Sequence, residues 1–452
     1  MMKTKEEKEE TISPSTCYSL SKFGSYLPED LITEILLRSP VKSLVRFKSM
    51  CKDWSSIITN PNFTKTQFHH SSRYYLSLSH VIFQHDNSIF ILHLDLNDIP
   101  YKKTNQQIKG KFVPFSSNFI KKTTKAIRNI HVFGSCNGIL FVYINNTMYL
   151  WNPTTDEYRV IPSPPNLDLS SEKVWLAGFG YASTIDDYKI VLVIKYISVI
   201  TMVYVYSTRL NKWRNEDTDF FTKLRLCRIY VERQCHRCTY EAIISNDALH
   251  WTLRKFNYCR CHQDEDDNNN NNKQRPHFIF KFDMVNEIFQ WVFDLNQIHS
   301  SDDKLTRKVM ERELKIRVDG DGSLYVYLQY NESYHYKYWS DSRALLADVV
   351  EMWVITKSNV RKKFRLEGRW NNIGNNHEMI KITGNGKVIV FRRGYSTMEN
   401  LVIFDGRQPN KRFYIEATSE YGKPYDDTIR YQDQRFQRVV HYSESLINPK
   451  HI

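Results

Sequence analysis

One short pattern recurs four times along the chain and constrains the fold more than any other feature. Two residues typical of strands precede a polar residue, and an aromatic residue follows after a tight turn. The copies are Leu150-Trp151-Asn152 with Tyr158, Val205-Tyr206-Ser207 with Trp213, Lys281-Phe282-Asp283 with Phe289, and Ile403-Phe404-Asp405 with Phe413. Asn, Ser and Asp suit such turns because their side chains bond to nearby backbone amides. Each copy therefore predicts a β-hairpin.

A second recurring unit alternates with the first. It is a two-residue hairpin turn followed by an apolar strand, a pattern that favours tight antiparallel pairing. Its copies are Asn137-Gly138-Ile139-Leu140, Asn246-Asp247-Ala248-Leu249, Asp321-Gly322-Ser323-Leu324 and Asn385-Gly386-Lys387-Val388. Together the two units recur every roughly 50 to 75 residues, a period typical of sheet blades arranged radially. The sequence therefore predicts a mainly β chain with a propeller-like array of antiparallel blades.

About five cycles follow residue 130, and the two ends of the chain could supply a further blade. Strands within residues 74–114 could pair with the segment 438–446, which gives about six blades in all. Residues 188–207 are apolar enough to suggest a membrane helix, but Lys189 and Lys195 interrupt them. Two buried strands joined near residues 197–200 fit this stretch better, and we expect no membrane span.

Residues 26–63 follow a helical pattern instead and form the small α domain of the predicted fold. Pro28 suits the first position of a helix, because its missing N–H group needs no partner there. The apolar residues of this helix form two i,i+4 pairs, Leu31 with Ile35 and Ile32 with Leu36. Pro40 ends the helix because a residue before proline avoids the α conformation. Two further helices are predicted, over residues 41–50 and from Cys51 to the Asn60-Pro61 pair.

The apolar surface of these three helices is large for a block of about 40 residues, a size that is marginal for an isolated domain. The helices could pack merely on one another and on the β domain. Alternatively, part of their surface could be an interface that enters a groove of another protein. The periodicity of the sequence leaves both interpretations open.

The order of residues in this block resembles the F-box motif, in particular its plant form. The matching residues are Leu27-Pro28-x-Asp30-Leu31, Ile35-Leu36-x-Arg38-x-Pro40-Val41-Lys42-x-Leu44, Arg46-Phe47 and Lys52-x-Trp54. The resemblance implies that the block binds the Skp-type adaptor of an SCF (Skp–cullin–F-box) ubiquitin ligase and, through it, the cullin. It also implies two groups of residues. Leu27, Pro28, Leu31, Ile35 and Leu36 would enter the groove of the adaptor, while Leu44, Val45 and Trp54 would hold the helices and complete the surface.

From about residue 74 the chain resembles the F-box-associated domain of plant F-box proteins, including the S-locus F-box group. The matching stretches are GSCNGIL, LWNPTTDEYRVIP, GFGYASTIDDYKIV, VYSTRLNKW, NDALHW, EMWVI and HYSESLINP. Because no Gly-Gly pair occurs in the sequence, the likeness to kelch repeats is one of architecture. The expected domains are a disordered tail (1–24), an F-box (25–65) and a propeller-like domain (70–449) with a mobile Asn/Asp-rich loop (262–275).

Four cysteines form the strongest candidate metal site: Cys235, Cys238, Cys259 and Cys261. If the hairpin that turns at Asn246-Asp247 continues outward, Cys235 lies almost opposite Cys259. Two thiolate pairs across a hairpin could bind zinc. The tight Cys-x-Cys spacing and the adjacent polar run argue against a rigid site, and the family pattern includes no such metal. Zinc is therefore a secondary candidate, and we expect reduced thiols and no cofactor.

Composition and motif content limit the remaining classes of function. The net charge of +13 attracts acidic partners, but the basic residues are spread out and form no nucleic-acid module. The sequence contains no Walker loop, dinucleotide fingerprint or nucleophile elbow. Together with the resemblance, this indicates a non-catalytic subunit that presents an unknown protein substrate to a ligase. The alternatives are a scaffold or nucleic-acid-binding protein outside any ligase, and a propeller enzyme.

The first residues, MMKTKEEKEETISPSTCYSL, are charged and then polar. They contain no apolar stretch of the kind that a secretory signal requires. We therefore expect a cytoplasmic and/or nuclear protein whose eight cysteines are reduced.

Overall fold

The computed structural model describes residues 28–74, 78–85, 88–95, 107–114, 119, 130–165, 167, 174–195, 201–216, 240–254, 277–294, 314–318, 324–332, 347–355, 360–369, 377–382, 387–392, 401–405, 408–418 and 438–452. Several predicted features lie outside these residues: the tail 1–24, Leu27, the stretch 262–275, and Cys235, Cys238, Cys259 and Cys261. In the described part a helical block comes first and antiparallel strands follow. The fold is mainly β with a small α domain, as the sequence predicts.

Within the described residues, the helical block contains four α-helices, one more than predicted. They are α1 (Glu29–Leu37), α2 (Val41–Phe47), α3 (Lys52–Thr59) and α4 (Pro61–Tyr74). Pro28 and Pro40 each lie immediately before a helix, as the N-cap residues of α1 and α2. The predicted second helix was too long, because α2 ends at Phe47 rather than at Met50.

The fourth helix was not predicted because one residue pair carries two signals. Asn60-Pro61 ends α3, and the same pair begins α4. Pro61 is the first residue of α4, where a missing N–H group costs no hydrogen bond. Asn60 caps this helix, since its Oδ1 accepts a hydrogen bond from the backbone N–H of Asn62 at 2.8 Å. A stop signal for one helix is therefore the start signal for the next.

The helices enclose a small hydrophobic core, which we call the helical core. Its buried members are Ile32, Leu36, Val41, Leu44, Ile58 and Phe63, together with Leu446 from the far end of the chain. At the edge of this core, the Phe47 and Trp54 rings meet edge to face with centroids 5.4 Å apart. Cys51 caps α3, because its Sγ accepts a hydrogen bond from the Trp54 N–H at 3.4 Å. The helical core is thus completed by Leu446, which is far from the helices in sequence.

Apart from the short strand β12, the described strands form six units of four hydrogen-bonded strands each, which we call blades 1 to 6. Blade 6 begins with β1 (Leu78–His85), β2 (Ser88–Asp95) and β3 (Gln107–Pro114). Blade 1 contains β4 (Ile130–Cys136), β5 (Ile139–Ile144), β6 (Thr147–Asn152) and β7 (Glu157–Ile161). Blade 2 contains β8 (Val174–Ala182), β9 (Asp187–Lys195), β10 (Thr201–Ser207) and β11 (Lys212–Glu216), and the short β12 (Tyr240–Glu241) pairs with β8 in parallel.

The later blades follow in chain order. Blade 3 contains β13 (Ile243–Ser245), β14 (Ala248–Arg254), β15 (His277–Asp283) and β16 (Ile288–Asp294). Blade 4 contains β17 (Leu314–Val318), β18 (Leu324–Glu332), β19 (Ala347–Ile355) and β20 (Val360–Arg369). Blade 5 contains β21 (His377–Ile382), β22 (Lys387–Arg392), β23 (Leu401–Asp405) and β24 (Gln408–Thr418). β25 (Arg438–Tyr442) and a 3-10 turn (Pro449–His451) end the chain.

The last strand completes the blade that the first three strands begin. β25 pairs antiparallel with β1, with Val440 opposite Ile82. This is the predicted pairing between residues 74–114 and 438–446, and the structure confirms it. β24 pairs in parallel with β3, so that blades 5 and 6 share one eight-stranded sheet.

The innermost strands connect the described blades into a closed ring. The contacting pairs are β4 with β8, β8 with β13, β13 with β17, β17 with β21, β21 with β25, and β25 with β4. Because the last pair returns to the first strand, the cycle closes on itself. The expected array of about six antiparallel blades is therefore confirmed as a six-bladed ring.

The recurring motifs lie where the hairpins need them. Trp151 pairs with Tyr158, Tyr206 with Trp213, Phe282 with Phe289, and Ile403 with Phe413. In the two-residue turn of blade 1 both residues have positive φ, 50° for Asn137 and 76° for Gly138. This backbone matches the twist of the strands it joins. The turn residues of the motifs therefore set the register of each hairpin.

The described residues within 188–207 lie in two strands rather than in a membrane helix. β9 and β10 pair antiparallel, with Val193 opposite Val203, as the sequence predicts. Among the helices that the structure describes, none has both the length and the apolar character needed to cross a bilayer.

A buried histidine in blade 3 makes the stability of the protein depend on pH. Burial lowers the pKa of His250 to about 4, against the opposing effect of the Ile243 carbonyl oxygen, which lies 3.3 Å from Nδ1. The positive charge of Lys281 acts in the same direction as burial. In the unfolded chain the pKa of a histidine is about 6.5, so between these two values the unfolded state binds more protons. The contribution of His250 to the free energy of unfolding is therefore complete above pH 6.5 and is lost as the pH falls toward 4.

We expect His250 to account for about 2 kcal/mol of the unfolding free energy that is lost between pH 7 and pH 5. Urea unfolding at both pH values should show that His250→Gln removes this part of the dependence. His451, exposed in the C-terminal 3-10 turn, provides the matched control, and His451→Gln should retain the full pH dependence. An unchanged pH dependence in His250→Gln would contradict the assignment.

Candidate functional site

One face of α1 leaves two large apolar side chains exposed. Leu31 is 50% exposed and Ile35 is 56% exposed. Pro28, at the start of the helix, is also exposed. Leu31 and Ile35 are four residues apart, which places them on the same helix face. We call Pro28, Leu31 and Ile35 the α1 ridge, and such a ridge is typical of a surface that enters a groove of another protein.

The neighbouring residue Leu36 does not belong to this ridge. It is 1% exposed and packs with Ile32 in the helical core. One step along an α-helix rotates the side chain by about 100°, so Leu36 points away from Ile35. We therefore correct the sequence-based assignment of Leu36 from a groove-entering residue to a core residue. Leu27, which was grouped with it, lies outside the described residues.

The residues expected to hold the helices together are in or beside the helical core. Leu44 is fully buried in it. Val45 and Trp54 are partly buried and pack against it from outside. Their positions suit the supporting role that the resemblance implies, and they leave the α1 ridge as the exposed part of the predicted set.

Charged residues border the ridge along α1. Glu29 and Asp30 lie in the first turn, where the partial positive charge of the helix N-terminus favours them. One turn later, Glu34 accepts a hydrogen bond from Arg38 Nε at 2.8 Å. This exposed ion pair adds little to stability, but it keeps the border polar. An apolar centre inside a polar border is the usual arrangement of a protein–protein interface.

The strand ends of the ring define two rims. One rim carries the motif turns, such as residues 137–138, 153–156 and 183–186. The helical block contacts this rim, because Lys65 of α4 binds both carboxylate oxygens of Asp186 at 2.7 and 2.8 Å. We call it the near rim, and the opposite ends of the same strands the distal rim. The connections from β9 to β10, from β14 to β15 and from each blade to the next leave from the distal rim.

Turns of neighbouring blades are bonded to each other on the near rim. Asp247 of blade 3 accepts hydrogen bonds from the backbone N–H groups of Ser183 and Thr184 in blade 2, at 2.8 and 3.0 Å. Burial alone would raise the pKa of the Asp247 carboxyl, but the hydrogen bonds from Thr184 and Ser183 hold it below its usual value. The sequence assigned Asp247 to its own turn, and no local signal could have shown this bond between blades.

Two tyrosines below the near rim belong to a structural network. The Tyr181 and Tyr188 rings lie 4.7 Å apart. Tyr181 donates a hydrogen bond to Asp186 Oδ1 at 2.6 Å, and Asn137 Nδ2 donates one to the Tyr188 hydroxyl at 3.0 Å. Burial raises the pKa of both hydroxyls, and for Tyr181 the hydrogen bond to Asp186 raises it further. Both hydroxyls therefore stay protonated near neutral pH and bond to their neighbours rather than act as bases.

The part of the chain that the structure describes contains no group of three or more His, Cys, Asp and Glu side chains placed to hold a metal ion. The candidate zinc ligands Cys235, Cys238, Cys259 and Cys261 are not in that part. Of the cysteines that are, Cys136 is buried, and burial raises the pKa of its thiol to about 12. Its thiol is therefore protonated and behaves as a small apolar group.

The hairpin that suggested the zinc site is described over residues 240–254. Its register agrees with the prediction, with Ser245 opposite Ala248 and Ile243 opposite His250. Before Ile243, however, the chain leaves this hairpin, and Tyr240 pairs with Leu176 of blade 2 instead. Because Cys235 and Cys259 lie outside the described residues, the zinc site stays a prediction.

Comparison with known families matches both parts of the chain. The F-box domain matches residues 25–66, and the F-box associated beta propeller domain matches residues 80–449. The chain belongs to the F-box proteins with an F-box-associated β-propeller domain. In this F-box protein α4 continues past the F-box match, and its Phe68 packs against the core of blades 1 and 2.

Relatives of this F-box protein are found in Arabidopsis thaliana. A putative F-box protein is 31% identical over 191 residues, which are 42% of this chain and 46% of that protein. An F-box/kelch-repeat protein is 28% identical over 202 residues, 42% of this chain and 51% of that protein. The F-box protein CPR1 is 22% identical over 357 residues, 74% of this chain and 70% of that protein. The chain thus spans about half the length of the first two relatives.

Proposed function

We propose that this protein is the substrate-recognition subunit of an SCF-type ubiquitin ligase. The helical block binds the Skp-type adaptor, and through it the cullin, while the propeller binds a protein target for ubiquitination and degradation. The observation that carries the proposal is the α1 ridge, because it exposes Leu31 and Ile35 inside the region that matches the F-box domain. The proposal implies a location in the cytoplasm or the nucleus, where such ligases work.

The exposed area of the ridge is large enough to matter for affinity. Burying an apolar side chain completely contributes about 1.5–3 kcal/mol. Leu31 and Ile35 are each about half exposed, so each has roughly half of that amount left to gain on binding. Removing both side chains should therefore weaken adaptor binding by about 2 kcal/mol, or roughly thirty-fold.

We place the target on the distal rim of the propeller. The near rim is occupied at blades 1 and 2, where Lys65 binds Asp186 and the end of the chain crosses the turns. Most of the longer connections between strands, such as those from β14 to β15 and from β18 to β19, leave from the distal rim. Loops held by a rigid scaffold commonly carry binding specificity. A target bound there would project away from the adaptor-binding helices.

The mechanism that follows is one of proximity. Binding the target and the adaptor in one complex makes the transfer of ubiquitin effectively intramolecular, and this raises the local concentration of target lysines. The chain itself then needs no nucleophile and no cofactor. Its contribution is the geometry with which it presents the target.

The test is adaptor binding by the full chain, measured as co-purification and as a dissociation constant. We expect wild type to bind and Leu31→Ala/Ile35→Ala to bind at least about thirty-fold more weakly. Val160 and Leu210 provide a matched control, because they are 52% and 53% exposed on the propeller. Val160→Ala/Leu210→Ala should bind like wild type. Failure of wild type to bind the adaptor, or equal binding by the ridge variant, would contradict the proposal.

A further inference from the structure

The last ten residues, 443–452, run between the helical block and the propeller. Leu446 is 2% exposed and lies in the helical core, whereas the next residue, Ile447, is 5% exposed and lies in the core of blades 1 and 2. Two consecutive side chains are therefore buried in two different cores. A segment anchored in this way resists relative movement of the two parts, since any movement must expose one of these side chains.

Asn152, at the end of β6, holds the backbone of this segment. Its Nδ2 donates hydrogen bonds to the carbonyl oxygens of Ser445 and Ile447 at 3.0 and 2.8 Å. Its Oδ1 accepts one from the N–H of Thr154 at 2.8 Å, which closes the turn of its own hairpin. Asn152 is completely buried, so each of these bonds replaces contacts with water that the side chain has lost.

The equivalent positions in the next two blades do not have this function. Ser207 in blade 2 and Asp283 in blade 3 also end the third strand of their blades. Asp283 Oδ1 closes its turn in the same way, accepting from the N–H of Val285 at 2.9 Å. Neither side chain offers an amide NH2 group that could donate to two carbonyl oxygens. Asn152 in blade 1 therefore closes its own turn and also binds the backbone of residues 443–452, which these two residues cannot do.

Gly138, in the first turn of blade 1, leaves room for the segment. A Cβ atom at this position would lie 2.4 Å from Ser445 Oγ and 2.6 Å from the Ser443 carbonyl oxygen. The φ of 76° also favours glycine over other residues. Both near-rim turns of blade 1 thus fit the segment closely. Asn152 binds it through a side chain, and Gly138 leaves room for it because glycine has no side chain.

Charged groups connect the segment to both sides. Lys42 of α2 lies 3.1 Å from Glu444, and Lys450 forms an ion pair with Glu157 of β7. Arg159 donates from Nη1 to the carbonyl oxygen of Ile452, and its Nη2 donates to Asn211 Oδ1 at 2.9 Å. Ion pairs with exposed members add little energy, but they define the direction in which the segment lies.

We propose that residues 443–452 are a positioning segment, the C-terminal strut, which fixes the orientation of the α1 ridge relative to the propeller. Its importance for ubiquitin transfer rests on the proposed function. Transfer by proximity depends on the geometry of the link between the two binding surfaces. A strut that holds the two surfaces at one orientation restricts which lysines reach the conjugating enzyme.

Two variants loosen the strut in different ways. Asn152→Asp keeps the Oδ1 acceptor that closes the turn, but it places a carboxylate oxygen against the carbonyl oxygens of Ser445 and Ile447. Leu446→Ala removes the anchor from the helical core. Asp283→Asn, the reverse exchange at the equivalent position of blade 3, is the matched control because no strut crosses that turn.

The first measurement needs no ligase activity. A carbodiimide cross-links a lysine to a carboxylate in contact with it, and mass spectrometry of the full chain quantifies the product. We expect the Lys42–Glu444 cross-link to fall several-fold in both loosening variants and to be unchanged in Asp283→Asn. The Lys65–Asp186 contact also joins the helical block to the propeller, so its cross-link should fall in the same two variants. An unchanged Lys42–Glu444 yield in Asn152→Asp would overturn the proposal, even if Leu446→Ala fails to fold.

The second measurement tests positioning itself. In a ligase reconstituted with the adaptor, cullin and conjugating enzyme, we expect wild type to modify a restricted set of its own lysines. Asn152→Asp should bind the adaptor as well as wild type does and spread the modification over more lysines. An identical lysine pattern would contradict the positioning role. Absence of any modification by wild type would contradict the proposed function instead, and the cross-linking result would then decide on the strut alone.

Discussion

Replacement of Trp151 by alanine should lower the free energy of unfolding by about 3–5 kcal/mol. Trp151 is fully buried in blade 1, and its ring lies 5.1 Å from that of Phe119. On the neighbouring strand Tyr158 faces it directly. The substitution would leave a cavity that these aromatic rings cannot fill, because they are themselves held by the sheet and the turn.

Trp291→Ala is the matched control for this experiment. Trp291 lies on β16, the outer strand of blade 3, and is 49% exposed. Its loss should cost less than about 1.5 kcal/mol, because much of its surface is already in water. Urea unfolding followed by circular dichroism measures both variants. Similar losses for the two tryptophans would show that blade 1 is not packed as described.

The second large effect concerns a buried ion pair between blades 2 and 3. The Lys189 side chain is 4% exposed and pairs with Glu287, which also binds Arg214 at 3.1 Å. Glu287→Met should cost about 3–5 kcal/mol, because it leaves the Lys189 ammonium buried without a counter-charge. Lys189→Met should cost far less, because Glu287 keeps its bond to the more exposed Arg214.

A double-mutant cycle separates these contributions. The double variant Lys189→Met/Glu287→Met should be nearer in stability to Lys189→Met than to Glu287→Met, since no buried charge remains. Unfolding in urea at neutral pH gives all four free energies. If the two single variants lose equal stability, the burial of Lys189 does not control the energetics of this contact.

The β part of the fold could be predicted well because its signals are local. A polar turn residue and the aromatic residue after it determine one hairpin, as Trp151 opposite Tyr158 shows. Repetition of that unit then indicates blades, and the register follows from the length of each turn. The pairing of β25 with β1 is not local, but it could be predicted because a ring of blades must close.

Other features could not be predicted because one residue serves two purposes or acts over a long distance. Asn60-Pro61 ends α3 and begins α4, so the fourth helix was missed. Leu36 carries the same apolar signal as Ile35, and only the packing of the helices shows which of them faces inward. Asn152 was correctly assigned to a turn, but its bonds to Ser445 and Ile447 join residues that are far apart in sequence.

The pairing of β25 with β1 has a consequence for the order of events during synthesis. Blades 1 to 5 emerge from the ribosome before residue 438, and they cannot form a closed ring until β25 arrives. Leu446, which the helical core also needs, emerges later still. A polypeptide released early would therefore lack both the closed ring and a complete helical core. Translation of residues 438–452 is the step at which both binding parts of the protein become complete together.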